Sequence, residues 1–286
     1  MGKIGIVVCG NSGIDYLKHD YDIRLIRSTL LLGEEEYTDF VDIKAEAFYK
    51  KLLSDPNQHV STAQTATGVI LDTYEGLKKD GYDEIIAITI SSKLSGTYEG
   101  AKLAANMIED IKVTVFDSLS VSYPEAYMAL TAATMAKDGK SISEIVDALV
   151  KIRENQGVLI SVDTLKYLVK NGRLSGASGL IGGILKIKPM LALTREGRIE
   201  PVEKIRTRSK ALNRIVEKYA QDHHTKNNTV FIAHANAPEE VKLVREKLHE
   251  ALPDIETVED YPLTPVVGAH AGPGTLAIGW VPKNIA

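Results

Sequence analysis

The segment around His270 carries the clearest sign of chemistry in this chain. Residues 266–280 read VVGAHAGPGTLAIGW, so one imidazole stands among small and apolar residues with several glycines beside it. Glycine accepts positive φ and lets a ligand or a second backbone approach closely. The pattern predicts a glycine-rich turn between two apolar strands that presents His270 as a general base, a hydrogen-bond donor to an anion or a metal ligand.

A second candidate segment is rich in serine. Residues 90–101 read ISSKLSGTYEGA and place Ser92, Ser95 and Gly96 just before a predicted helix. A helix N-terminus has unpaired N–H groups and a partial positive charge, which suit a carboxylate or a phosphate. The alternative that Ser95 or Thr97 simply caps the helix stays equally open at this point.

Two further polar features accompany these segments. Residues 60–68 read VSTAQTATG and place Thr62 with three other hydroxyls before or within the start of another predicted helix. Helix capping explains one such hydroxyl, and a ligand is the alternative explanation for the rest. Arg173 directly follows Gly172. It is expected either to contact a carboxylate or brace a site, or to be an ordinary solvated arginine.

Several catalytic motifs are missing from the sequence. It has no nucleophile elbow, no Walker A loop and no dinucleotide fingerprint after the first strand. The histidines lack metal-ligand spacing, so no metal site is expected. Hydroxyls, an imidazole and an arginine without a carboxylate base favour anion binding. The alternative is a hydrolase or transferase acting on a small acyl or phosphate substrate, with Ser95 as nucleophile, His270 as base and Asp117 as the orienting carboxylate.

The composition is that of an ordinary globular protein. The chain has 286 residues, 44% of them hydrophobic, and a formal net charge of −4, which argues against a nucleic-acid partner. A single cysteine, Cys9, cannot form an internal disulfide and favours a cytoplasmic location. No apolar run approaches the roughly 18 residues of a membrane span. Stable membrane insertion is therefore not expected, although transient contact with a membrane surface is compatible with the sequence.

The elements that must position these residues fall into two groups. The first half alternates buried strands with helices, which predicts a parallel sheet with helices on both faces. The strands are placed at 3–9, 84–90 and 113–117, with an extended stretch at 23–32, and the helices at 44–54, 65–79, 98–108 and 123–138.

The second half mixes strand pairs with helices, which predicts a separate α+β domain. Strands are placed at 158–162 and 229–235, a hairpin at 187–193 and 198–205, and helices at 164–171, 208–222 and 238–252. The expected fold class is α/β with two domains, an α/β/α domain over 1–156 and an α+β domain over 157–286. Ligands bind at the carboxyl ends of parallel strands, so a cleft between this edge and the second domain is the expected site.

Four segments in order resemble the DegV family, the fatty-acid-binding proteins that serve bacterial fatty acid kinase. ISSKLSGTYEGA is similar to the family's serine-rich loop and VFDSLSVS to its next strand and loop. NGRLSG with LKIKPML and EGRIEPVEKIRTRSKAL is similar to the signature of its second domain. VVGAHAGPGTLAIGW is similar to its terminal His-Gly segment. The resemblance covers nearly the whole chain.

The resemblance implies a carrier rather than an enzyme. A long-chain fatty acid such as palmitate would lie in an apolar tunnel between the domains, with no other cofactor. The hydroxyls of Thr62 and Ser95 would hold its carboxylate, with Ser92, Gly96, Arg173 and His270 beside the head group. A separate ATP-dependent fatty acid kinase subunit would be the partner that forms the acyl-phosphate. A regulatory module that senses lipid would need the same pocket.

One segment departs from the family pattern. The family usually has Thr-Ser-Gln-Pro-Ser where this chain has Thr62 followed by Ala63, Gln64, Thr65 and Ala66. Thr62 and Gln64 are retained, while both serines are replaced by alanine. The resemblance therefore supports the Thr62 contact but not the family's serine contacts in this segment.

Overall fold

The computed structural model describes residues 2–55, 57–176, 187–283 and 285. Its strands are β1 (Ile4–Cys9), β2 (Ile23–Ile26), β3 (Thr29–Leu32), β4 (Glu35–Thr38), β5 (Val60–Ala63), β6 (Glu84–Thr89), β7 (Lys112–Asp117), β8 (Gly157–Ser161), β9 (Met190–Leu193), β10 (Ile199–Glu203), β11 (Asn228–His234), β12 (Thr257–Pro262) and β13 (Leu276–Pro282). Its helices are α1 (Ala45–Ser54), α2 (Thr67–Lys79), α3 (Thr97–Met107), α4 (Tyr123–Lys137), α5 (Ile142–Asn155), α6 (Lys166–Lys170), α7 (Arg208–Asp222), α8 (Pro238–Ala251) and α9 (Pro265–Ala271).

The first sheet is parallel and has the strand order β2-β1-β6-β7. Its strands are apolar on both faces because helices cover both. Ile6, Val8 and neighbouring residues of β6 pack against α4 and α5, whereas Val7 and Cys9 pack against α2 and α3. The predicted parallel sheet with helices on both faces is confirmed.

The order of these strands creates a binding edge. The chain passes from β1 to β2 on one side, and then returns to β6 on the other side of β1. Strand order therefore reverses between β1 and β6, which is where ligands bind in open parallel sheets. The loops that follow β1, β6 and β7 all lie at this carboxyl edge.

The second sheet is mixed and has the order β10-β9-β8-β13-β11-β12. Of its neighbouring pairs β11 and β12 are parallel, and the other pairs are antiparallel. Alternate residues point to opposite faces, so one face packs on α7 and α8. The other face joins a core that also contains residues of α1, α6 and α9. Helix α5 ends at Asn155 and β8 begins at Gly157, so the connection between the two sheets is short.

A third, three-stranded sheet has the order β4-β3-β5 and covers part of the same core. The sequence predicts one extended stretch over 23–32, but the chain breaks into β2 and β3, which belong to different sheets. Residues 60–63 are also a strand rather than a helix start, because β5 pairs with β3 in the register Leu30 to Thr62. This pairing fixes the position of Thr62.

Two helices were missed by the sequence patterns. Helix α5 begins at a capping box of Ser141 and Glu144, a signal that is present in the sequence. Helix α9 contains His270, so the predicted turn between two strands is wrong. Thr264 caps α9 and Pro265 occupies its first position, which starts the helix in spite of its glycine.

Two statements apply to the residues that the structure describes. None of their helices has the length and hydropathy needed to cross a bilayer. The part of the family resemblance that falls on residues 177–186 lies outside the described residues.

Candidate functional site

A mostly apolar cavity of about 270 Å³ lies between the carboxyl edge of the first sheet and the inner face of the second. Its apolar wall comes from β8, β10, β11 and β13, with further residues of α6 and α9. Four of the predicted site residues line it: Thr62, Ser95, Arg173 and His270. Ser92 and Gly96 do not line it.

Thr62 and His270 are in direct contact. The Thr62 Oγ1 atom lies 2.8 Å from His270 Nε2, although the two residues are 208 positions apart in the sequence. Strand β5 supplies Thr62 and the last turn of α9 supplies His270. The hydroxyl can donate to a ligand while it accepts a hydrogen bond from the imidazole, if the proton of the neutral ring is on Nε2.

His270 is neutral at physiological pH. Burial lowers the pKa of His270 to about 4, and the positive charge of Arg173 adds to the shift. Its Nδ1 atom is buried without a hydrogen-bond partner in the described residues. A neutral imidazole with one nitrogen on Thr62 orients that hydroxyl and supplies no positive charge itself.

Ser95 lies in the cavity wall, one residue before Gly96, the N-cap residue of α3. Its Oγ accepts a hydrogen bond from the N–H of Thr97 at 3.3 Å and lies 2.8 Å from Thr97 Oγ1. Ser95 is therefore not the N-cap residue of α3, although its hydroxyl accepts from the first N–H of that helix. The Ser95 N–H donates to Ser91 O at 3.1 Å, so that backbone donor is not available to a ligand.

The serine loop is braced by the second half of the chain. Ser91 Oγ donates to Gly197 O at 2.8 Å, at the turn between β9 and β10. The N–H of Ser92 donates to Asp117 Oδ1 at 3.2 Å. These two contacts hold the loop in place, and the Ser92 side chain does not line the cavity.

Arg173 links three parts of the site. Its Nε donates to Leu94 O at 3.0 Å and its Nη1 to Asn171 O at 2.6 Å. Asn171 in turn donates to Ala269 O on α9 at 3.0 Å. No Asp or Glu among the described residues lines the cavity. The guanidinium therefore brings a positive charge to the wall without a neighbouring carboxylate there.

Five polar residues of the cavity wall were not among the predicted site residues: Asn11, Ser28, Gln64, Ser122 and Thr275. Asn11 follows β1 and donates to the buried Glu125 at 2.7 Å, and burial raises the pKa of Glu125 well above its usual range. Asn11 could have been predicted from the sequence, because it follows a buried strand at the edge of the sheet where ligands bind. Gln64 was available from the family motif that contains Thr62.

The glycines near His270 have a different role from the one predicted. A Cβ atom on Gly268 would lie 2.3 Å from Tyr49 Oη, and one on Gly272 would lie 2.3 Å from the Tyr167 ring. Gly272 also has a φ of +81°, in the region that favours glycine. Tyrosine side chains therefore occupy the space beside these glycines, so it is not open to a ligand.

The predicted nucleophile–base pair of Ser95 and His270 is not formed. Ser95 is hydrogen-bonded to Thr97 and His270 to Thr62, and no Ser95–His270 hydrogen bond is present. Asp117 accepts from the backbone of Ser92 and Leu119 and makes no contact with the imidazole. Within the described ranges, no cluster of three or more His, Cys, Asp and Glu residues could hold a metal ion.

Comparison with known sequences gives consistent matches. A family model described as "Uncharacterised protein, DegV family" matches residues 3–283. The DegV domain-containing protein CA_C1624 of Clostridium acetobutylicum is 32% identical over 282 residues, which cover 97% of this chain and 98% of that protein. The DegV domain-containing protein SA1258 of Staphylococcus aureus is 37% identical over 267 residues, 92% of each chain.

Solved structures share the fold. DegV from Bacillus subtilis, described as a fatty acid binding protein, has a TM-score of 0.84 at 31% identity, with 99% of this chain and 100% of that one covered. TM841 from Thermotoga maritima, whose structure is described as revealing a fatty acid binding function, has a TM-score of 0.81 at 27% identity and the same coverage. These similarities confirm the predicted two-domain α/β fold class.

Proposed function

This chain belongs to the DegV family, and on that premise we propose that it binds one long-chain fatty acid in its central cavity. The fatty acid would lie between the α/β/α domain of residues 1–156 and the α+β domain of residues 157–286. Two family relatives are described as fatty-acid-binding proteins, which supports the proposal.

The observation that carries the proposal is the polarity of the cavity. Its apolar floor is formed by alternate residues of β8, β11 and β13, namely Val158, Ile160, Phe231, Ala233 and Ala277. Thr62, Ser95, Arg173 and His270 form a polar region in its wall. A carboxylate in an apolar site is unfavourable unless donors and opposite charge surround it. An alkyl tail with a single carboxylate has the same division between an apolar and a polar part.

The proposed contacts assign a role to each polar group. Thr62 and Ser95 donate their hydroxyl protons to the carboxylate, and His270 Nε2–H donates to Thr62 so that its hydroxyl points to the ligand. Arg173 supplies the compensating positive charge. Ser92 and Gly96 remain in the proposed site as residues of the loop that positions Ser95.

Affinity and orientation come from different parts of the molecule. Each buried CH₂ contributes about 0.8 kcal/mol, so a C16 tail gains roughly 10 kcal/mol before several kcal/mol of ordering costs. The floor of the cavity therefore dominates affinity, and the hydroxyls determine which end of the ligand lies at His270.

The chain is proposed to be a carrier. As the family resemblance implies, chemistry on the carboxylate would fall to a separate fatty acid kinase. That enzyme would use ATP to form the acyl-phosphate. Both proteins would therefore act in the cytoplasm, where ATP is available. The kinase would need access to the polar region around Thr62 and Ser95.

Mass spectrometry of the purified protein tests the binding proposal. Native spectra should show one bound C14–C18 fatty acid per chain, released on denaturation and replaced when a labelled acid is added. A protein that carries no lipid and takes up no added fatty acid would contradict the proposal. For the kinase step, acyl-phosphate should form only when the loaded protein, kinase and ATP are all present.

A further inference from the structure

The floor of the cavity has an abrupt step in side-chain size. Phe231 on β11 is paired across the sheet with Gly279 on β13, and Ala233 is paired with Ala277. Phe231, Ala233 and Ala277 line the cavity. Since alternate residues of a strand face the same side, an aromatic ring stands directly beside a flat pair of alanines.

The ring of Phe231 is held in place from two sides. A Cβ atom on Gly279 would lie 2.0 Å from Phe231 Cζ, so the ring occupies the space that any other residue would fill. On another side the ring centroid of Tyr123 lies 4.5 Å from that of Phe231. Tyr123 itself packs edge-on against Tyr261 at 5.2 Å. The ring can therefore adopt this orientation only because position 279 is glycine and has no Cβ atom.

The step lies away from the polar region. Thr275 Oγ1 donates to Ala271 O at 2.8 Å, which ties the start of β13 to the end of α9 beside His270. From Thr275 the chain passes Ala277 before it reaches Gly279, roughly 13 Å along an extended strand. A tail that starts at His270 therefore reaches the alanine pair before it reaches the ring.

We propose that Phe231, lying flat over Gly279, is the stop that limits the length of the acyl chain. The methyl end of the ligand rests against the ring, and the Ala233–Ala277 pair leaves room for the part of the tail before it. The proposal rests on the proposed fatty-acid function and names the two residues that set its chain-length preference.

Two substitutions should shift that preference in opposite directions. Phe231→Ala removes the ring and admits longer tails, whereas Gly279→Ala pushes the ring into the cavity and excludes them. An equimolar panel of saturated C12–C20 acids, competed for the protein and read by native mass spectrometry, measures the profile. Because each buried CH₂ changes affinity about fourfold, admitting about two further CH₂ groups should raise the C18-to-C14 ratio about 15-fold in Phe231→Ala, and excluding as many should lower it similarly in Gly279→Ala.

The chain offers a matched control on the opposite face of the same sheet. Gly157 is paired with Trp280, and a Cβ atom on Gly157 would lie 2.1 Å from Trp280 Cζ2. Trp280 packs with α7 and α8 and does not line the cavity. Gly157→Ala therefore introduces the same kind of clash and should leave the length profile of the wild type unchanged.

The outcomes separate this proposal from the function on which it rests. If the wild type binds fatty acids but all folded variants keep its profile, or if Gly157→Ala shifts it equally, the length stop is wrong and the function stands. If the wild type binds no fatty acid, both fall. Should Phe231→Ala not fold, Phe231→Leu carries the same prediction with a smaller shift toward long chains.

Discussion

The polar region and the floor of the cavity are built in different ways. Thr62, Ser95, Arg173 and His270 come from strand β5, the serine loop, the loop after α6 and helix α9, and the Thr62–His270 and Arg173–Leu94 hydrogen bonds connect these separate segments. The floor comes from alternate residues of neighbouring strands in one sheet. The relative positions of the floor residues are therefore set by strand pairing within one sheet, whereas those of the polar residues depend on how separate elements pack.

This difference predicts that the two regions contribute differently to ligand binding. The floor should determine how tightly a fatty acid binds, and the polar region should determine its orientation and contribute less to affinity. Substitutions in the two regions can therefore be ranked against each other, provided that each variant keeps its fold.

Filling the floor should have the largest effect. Ala233→Phe places a ring where the tail is proposed to lie and excludes several CH₂ groups, so affinity should fall by about 100-fold or more. Competition with a fluorescent fatty acid measures the loss. Ile232→Val is the control, since Ile232 lies on the same strand but faces α7 and α8. It should lower stability by about 1 kcal/mol and leave binding unchanged.

Removing hydroxyls from the polar region should have a smaller effect. Hydrogen bonds to charged groups contribute about 1.5–3 kcal/mol each, part of which water and Arg173 replace, so Thr62→Ala with Ser95→Ala should weaken binding about 10- to 100-fold. Isothermal titration with palmitate measures the change. Thr62→Ser keeps the hydroxyl and should bind nearly as well as the wild type. Unchanged affinity of the double variant would exclude the proposed head-group contacts, and a loss greater than that of Ala233→Phe would reverse the ranking.

The smallest effects concern two buried titratable groups at opposite ends of α9. Asp39 Oδ1 accepts from the N–H of Val266 at the start of the helix, and His270 lies near its end. Burial raises the pKa of Asp39 to about 7 and lowers that of His270 to about 4. Between these values the folded state holds an extra proton on Asp39 and lacks one on His270, relative to the unfolded chain.

The two groups should therefore give opposite pH dependences of stability. The Asp39 contribution falls as pH rises from about 4 to 7, and the His270 contribution rises from about pH 4 to 6.5. Relative to the wild type, Asp39→Asn should gain stability with rising pH and His270→Asn should lose it, each by at most about 1.4 kcal/mol per pH unit. Urea unfolding at several pH values measures both slopes. Slopes of the same sign would contradict the assignment of one of the two groups.

Local sequence patterns predicted some of the strands and helices. Apolar runs such as Ile4–Cys9 predicted the buried strands, and helix α7 was placed from its amphipathic pattern. Helix α9 was missed because the glycines around His270 outweighed the Thr264–Pro265 start signal. Those glycines are required by Tyr49 and Tyr167, which lie far from them in the sequence, so no local pattern could reveal the reason.

The sequence by itself determined the residue types of the candidate site and the family to which the chain belongs, because motifs and strand periodicity are local properties. The tertiary structure decided which residues meet. Thr62 reaches His270 across 208 positions because β5 pairs with β3 and packs on α9, and Arg173 reaches the serine loop through backbone carbonyls. Ser92 shares the loop, but its side chain does not line the cavity, and its backbone N–H donates to Asp117. Such contacts depend on how separate elements pack, which neighbouring residues in the sequence do not specify.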